Sequence, residues 1–170
     1  MVAPESHRTR AIVGMTRLHP ATMTDPVPTV CPHCRTANRV PAARLADRPT
    51  CGRCREPLFP GTPVALDEAG LDRFLARESL PLVVDFWAPW CGPCLQMAPA
   101  FAEAARELAP EVRLAKVDTE AVASAGARFA IRGIPLLVLF ASGREVARHT
   151  GATSARGVVD WVRGELRRSA

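Results

Sequence analysis

Leu82-Val83-Val84-Asp85-Phe86-Trp87-Ala88-Pro89-Trp90-Cys91-Gly92-Pro93-Cys94 is the stretch of this 170-residue chain on which its fold turns. The first six residues are apolar except at Asp85, the pattern of a strand buried on both faces. From about Gly92 to Ala109 the apolar spacing becomes helical, with Pro99 expected to kink the helix. Two cysteines therefore stand where a buried strand turns into a helix. A thiol there meets the positive end of the helix dipole and unpaired backbone N–H groups, both of which favour the thiolate. Cys91 is the expected nucleophile. Cys94, one turn inside and more shielded, is expected to resolve a mixed disulfide. Gly92 is expected to allow the tight turn, and Pro93 suits a first helical turn because its missing N–H is not needed there.

Outward from this stretch the elements alternate. An extended segment at Val64 to Leu66 precedes an amphipathic helix from about Glu68 to Glu78, marked by Leu71, Phe74 and Leu75. Downstream, Val112 to Val117 reads as a strand, Ala121 to Phe129 as a helix, and Pro135 to Phe140 as another buried strand. Ser142-Gly143 marks a hairpin turn into Arg144 to His149. Val158, Val159, Val162 and Leu166 give the last helix one apolar face. The order β-α-β-α-β-α-β-β-α combines parallel crossovers with a late hairpin. It predicts an α/β domain of three layers, with a mixed central sheet covered by helices.

Asp85 lies mid-strand, where an ionised carboxylate is costly unless paired, so its pKa should be raised. It could serve as a proton acceptor, or be a structural carboxylate bonded to backbone or to Lys116, the only lysine in the chain. Trp87 is expected in the core and Trp90 on the surface.

Ahead of this domain, Cys31-Pro32-His33-Cys34 and Cys51-Gly52-Arg53-Cys54 are separated by sixteen residues, a four-cysteine zinc-ribbon or knuckle spacing. One Zn2+ would supply the stability that so short a segment cannot draw from a core. A second redox pair at Cys31 and Cys34 is the competing reading. It is disfavoured because no buried strand is expected before Cys31 and no apolar-faced helix after Cys34. His33 reads as a solvent-facing spacer. Residues 1–28 read as a disordered extension, 29–60 as the zinc module and 61–170 as the redox domain, joined near Pro60-Gly61-Thr62-Pro63. Met1, Met15 and Met23 are all candidate start sites.

Composition narrows the function. Residues 1–60 hold nine Arg against four acids, whereas residues 61–170 balance thirteen against thirteen. Four thiolates around one zinc would contribute −4 + 2 = −2, which lowers the formal charge of +5 to +3 and weakens a nucleic-acid reading. No apolar run is long enough for a membrane span or a secretory signal. Three Cys-x-x-Cys pairs without such a signal point to a reducing, cytoplasmic compartment. There is no Gly-x-Gly-x-x-Gly fingerprint, so no nucleotide or flavin is expected on this chain and electrons must come from a separate protein.

The segment Asp85 to Cys94 resembles the active-site signature of the thioredoxin family. Gly133-Ile134-Pro135 is similar to that family's cis-proline loop, and Gly151-Ala152 to its third substrate-contacting loop. The resemblance covers residues 62 to 168. It implies a thioredoxin fold and a protein-disulfide reductase. In that reading Asp85 assists deprotonation of Cys94, while Trp90, Gly92, Pro93, Ile134, Pro135 and Gly151 meet the client. It further implies disulfide-containing client proteins, recharging by an NADPH-dependent flavoprotein (thioredoxin reductase) and a monomer. With the front module included, the chain resembles the zinc-containing thioredoxin 2 type. A zinc-dependent redox sensor or chaperone-like binding protein is the alternative function. Leu95 and Leu136 depart from the family, which commonly has a basic residue after the second cysteine and Thr after the cis-proline.

Overall fold

The computed structural model describes residues 25–169. Two sheets are present among them. Strands β1 (Pro26–Val30) and β2 (Ala37–Pro41) form an antiparallel hairpin that carries the first cysteine pair in its turn, and a 3-10 helix follows at Ala42–Asp47. The second sheet has five strands in the order β3-β5-β4-β6-β7, from β3 (Val64–Ala65), β4 (Leu82–Trp87), β5 (Arg113–Asp118), β6 (Leu136–Ala141) and β7 (Arg144–Thr150). β3 and β4 run parallel to β5, whereas β6 is antiparallel to both β4 and β7. The mixed character of the sheet and the β-α-β-α-β-α-β-β-α sequence of elements from β3 onward match the expectation from sequence.

β4 is central because its side chains can be buried on both faces. Leu82, Val84 and Phe86 point into a core shared with Leu71 and Phe74 of α1 (Glu68–Arg77) and Ala125 of α3 (Ser124–Arg128). Val83 points the other way, into a core made with Met97, Phe101 and Leu108 of α2 (Gly92–Leu108) and Val158, Val159 and Val162 of α4 (Ala155–Ser169). Strand alternation therefore also sends Asp85 to the α2 side. Helices α1 and α4 start where an oxygen-bearing side chain provides a cap. Asp67 accepts the Gly70 N–H at 2.7 Å, and Ser154 accepts the Gly157 N–H at 3.1 Å. The β6–β7 hairpin turns through Ser142 and Gly143 at φ 50° and 73°. A Cβ at Gly143 would stand 2.3 Å from the Leu75 carbonyl oxygen, so only glycine fits there.

Three expectations are corrected. Pro26, Val27 and Pro28, placed by sequence in a disordered extension of residues 1–28, form the start of β1; residues 1–24 of that extension, with Met1, Met15 and Met23, lie outside the described residues. Alternating prolines read as loop, yet an edge strand tolerates them. β1 also supplies the strand before Cys31 that the sequence did not reveal, and its last two residues, Thr29 and Val30, are fully buried. Helix α3 is shorter than expected, because residues 121–123 form turns ahead of it.

Candidate active site and metal centre

Cys91 and Cys94 form a disulfide with Cα atoms 5.3 Å apart, at the junction of the β4 segment with α2. Cys91 is the N-cap of α2, and its sulfur accepts the Cys94 N–H at 3.2 Å. An N-cap normally uses an oxygen for this purpose; here the helix start directs its free donor at sulfur, which stabilises negative charge on it. In the disulfide state Cys91 is 4% exposed and Cys94 2%, so shielding alone does not distinguish them. Their positions do, one capping the helix and the other inside its first turn.

Gly92 has neither a positive φ nor a neighbour within 4 Å of a built Cβ. The expected steric need for glycine in the turn is therefore absent. What the glycine provides is open space in front of the disulfide. Pro93 occupies the first helical turn as expected. Pro99 lies inside α2, which continues to Leu108.

Ile134 and Pro135 are brought to the same end of the sheet. Ile134 packs against Ala88, Cys91 and Cys94, and the Ile134–Pro135 bond is cis. Gly151 donates its N–H to the Pro135 carbonyl at 2.9 Å and holds φ at 95°. Trp90 is 69% exposed, with its indole N–H on Glu120 at 2.7 Å. Trp87 is half-buried, under the Lys116 ammonium 4.4 Å from its ring centroid. Glu120 was not found from sequence, because nothing in its spacing connects it with Trp90.

Asp85 is completely buried, and neither carboxylate oxygen has a hydrogen-bond partner. Burial pushes its pKa up to about 7, against the pull of Lys116, its register partner on β5. Neither structural bond considered from sequence, to backbone or to Lys116, is made. A carboxyl that is buried, unpartnered and poised near neutrality can exchange a proton at physiological pH.

In the front module, Cys31, Cys34, Cys51 and Cys54 bring four sulfurs within 4.8 Å of one another. The pairs Cys31–Cys54 and Cys34–Cys51 are 3.6 Å apart. Four thiolates about 2.3 Å from a tetrahedral zinc would stand about 3.8 Å apart, so the cluster fits such an ion. Both knuckles close alike, Arg35 N–H onto the Cys31 carbonyl and Arg55 N–H onto that of Cys51, each at 3.0 Å. Asn38, absent from the sequence reading, links them: its amide oxygen accepts the Gly52 N–H at 2.9 Å and its nitrogen lies 3.6 Å from the Cys51 sulfur. Such an outer partner orients a metal ligand. His33 is exposed, as expected of a spacer. A cluster of four removes the case for Cys31 and Cys34 as a separate redox pair, although a buried strand does precede them.

Both parts of the chain match known families. Residues 62–164 match the family described as Thioredoxin, and residues 30–56 match the one described as Thioredoxin 2, N-terminal, a zinc ribbon. Thioredoxin C-3 of Corynebacterium nephridii is 43% identical over 81% of this chain and 94% of its own length. Thioredoxin of Haemophilus influenzae is 37% identical over 57% of this chain and 91% of its own. Among solved structures, a point mutant of thioredoxin from Halobacterium salinarum superposes with a TM-score of 0.56 at 27% identity, covering 62% of this chain and 92% of that one.

Proposed function

Because the chain belongs to the thioredoxin family and is a protein-disulfide reductase, we propose a division of labour among its residues. Cys91 thiolate attacks one sulfur of a client disulfide, forming a mixed disulfide and releasing the first client thiolate. Asp85 takes the proton of the Cys94 thiol. Cys94 thiolate then attacks the Cys91 sulfur and releases the second client thiolate. The client gains two electrons and the product is the Cys91–Cys94 disulfide. The observation that carries this assignment is the Cys91 sulfur at the α2 N-cap, accepting the Cys94 N–H.

Around it, Trp90, Gly92, Pro93, Ile134, Pro135 and Gly151 form the surface on which an extended client segment lies. Support comes from the open space in front of Gly92 and Gly151, where an added Cβ would meet nothing within 4 Å. The zinc module, which starts with β1 at Pro26 and runs to residue 60, holds one Zn2+ through Cys31, Cys34, Cys51 and Cys54, and the metal cross-links the two knuckles. The redox domain spans residues 61–170. A separate NADPH-dependent flavoprotein, thioredoxin reductase, returns the active site to the dithiol. The protein works as a cytoplasmic monomer; among the described residues no helix is long and apolar enough to cross a membrane.

Insulin reduction, coupled to a thioredoxin reductase and NADPH, tests the reading. Full-length protein should turn over and Cys91→Ser should not. Turnover that persists in Cys91→Ser would overturn it.

A further inference from the structure

Three large apolar side chains are exposed among the described residues: Trp90 at 69%, Leu95 at 53% and Val146 at 39%. Two of them flank the redox disulfide. Leu95 follows Cys91 by four residues and donates its N–H to the Cys91 carbonyl at 3.1 Å. Residues four apart lie one above the other on a helix, so Leu95 shares the face of α2 that Cys91 caps. From Gly92 to Ala102 the helix has no charged side chain, and the first is Glu103. Ile134, from the loop before β6, packs against the cluster that Cys91 and Cys94 form with Ala88. The reactive sulfur is therefore bounded by apolar surface along the helix as well as along the Ile134 loop.

A single exposed leucine is ordinary; one that stands a single turn from the N-cap carrying the attacking sulfur lies where a docking client passes. We propose that Leu95 is a specificity-determining residue, selecting clients that present a bulky apolar side chain beside the cysteine that Cys91 attacks. The proposal rests on the reductase reading above. A client residue in that place would cover the exposed half of Leu95 as it docks, and its apolar surface would leave water together with that of the enzyme. A charged client side chain would find no opposite charge along the first three turns of α2.

The test uses full-length protein and two disulfide-linked peptides of equal length and charge, which differ only by Leu or Ser beside the attacked cysteine. Wild type should prefer the Leu peptide in kcat/KM by about fivefold, from roughly half the transfer free energy of a leucine side chain. Leu95→Ser should bring the ratio close to one, and Leu95→Met should restore it. Val146→Ser, on β7, should leave it unchanged. An unaltered ratio in Leu95→Ser overturns the proposal. So does an equal change in kcat/KM for both peptides, which would mean that Leu95 acts through the reactivity of Cys91. If wild type reduces neither peptide, the reductase reading itself fails and the proposal with it.

Discussion

Glu78 accepts a 2.9 Å hydrogen bond from the Thr29 hydroxyl, joining the end of α1 to the cysteine-bearing hairpin in a fully buried contact. The same carboxylate oxygen accepts the Val30 N–H at 3.0 Å. Arg113, at the start of β5, donates to the Leu58 carbonyl at 2.8 Å and to Thr29 and the Val30 carbonyl at 3.3 Å. The two charges are 4.0 Å apart and nearly without solvent, 4% and 1% exposed at the side chains. Each is satisfied largely by groups from the front module, so module and sheet complete one another.

Removing one member of a buried pair leaves the other uncompensated, at a cost of about 3–5 kcal/mol. Glu78→Ala should therefore lower the urea-unfolding free energy by about 3 kcal/mol. Glu78→Gln combined with Arg113→Met should cost less than the sum of the single changes, since each removes the charge that strands the other. Additive costs would mean that the two side chains act independently.

Asp85 predicts how stability depends on pH. Burial pushes its pKa up to about 7, whereas an unfolded Asp titrates near 3.9. Within that window the folded chain holds a proton that the unfolded chain has released. The contribution to stability is thus fully present below about pH 4 and is lost as pH rises through about 7, at a cost of about 4 kcal/mol. Asp85→Asn should be more stable than wild type at pH 8 by up to that amount, and the two should converge towards pH 4. Chemical denaturation at both pH values checks this. A difference that does not vary with pH would show that Asp85 is ionised throughout.

The apolar pattern revealed the sheet domain because its elements are buried by one another. Leu82 to Trp87 is an apolar run broken only by Asp85, as a strand covered on both faces requires, and Val158, Val159 and Val162 follow a helical spacing. The hairpin was hidden for the opposite reason: Pro26 and Pro28 look like loop, and its buried residues Thr29 and Val30 are satisfied by Glu78 and Arg113, 49 and 83 residues away. No local pattern records such a pairing. In the candidate site, the position of Cys91 and Cys94 was legible from the strand-to-helix change. The indole contact of Trp90 with Glu120, 30 residues on, was not. Nor was the role of Gly92, since a glycine that relieves a turn and one that leaves room for a partner are the same letter.

Metal removal should act locally first. The front module buries only Cys31, Val40, Cys51 and Leu58 as its own cluster, with Leu45 and Phe59 half-buried against it. That is too little to hold two knuckles without a cross-link. Elemental analysis of anaerobically purified protein should give about one zinc per chain. Chelation, or Cys51→Ser, should expose amides of residues 31–56 to hydrogen exchange before those of β4 and β6. Protection of the front module that survives the loss of metal would show that the Glu78 and Arg113 contacts hold it alone.

The order of attack by the two cysteines is open to a trapping experiment. With 4% and 2% exposure in the disulfide, accessibility does not tell the attacking thiol from the resolving one. The α2 N-terminus does: Cys91 is its cap, where unpaired N–H groups and the helix dipole favour thiolate, while in the roles proposed above Cys94 relies on Asp85 to take its proton. Cys94→Ser should therefore accumulate a mixed disulfide between Cys91 and its client, visible as a higher-mass band on non-reducing gels and reversed by dithiothreitol. Cys91→Ser should accumulate none. Mixed disulfides in equal yield from the two variants would mean that either sulfur can attack first, and the helix terminus would then not be what selects Cys91.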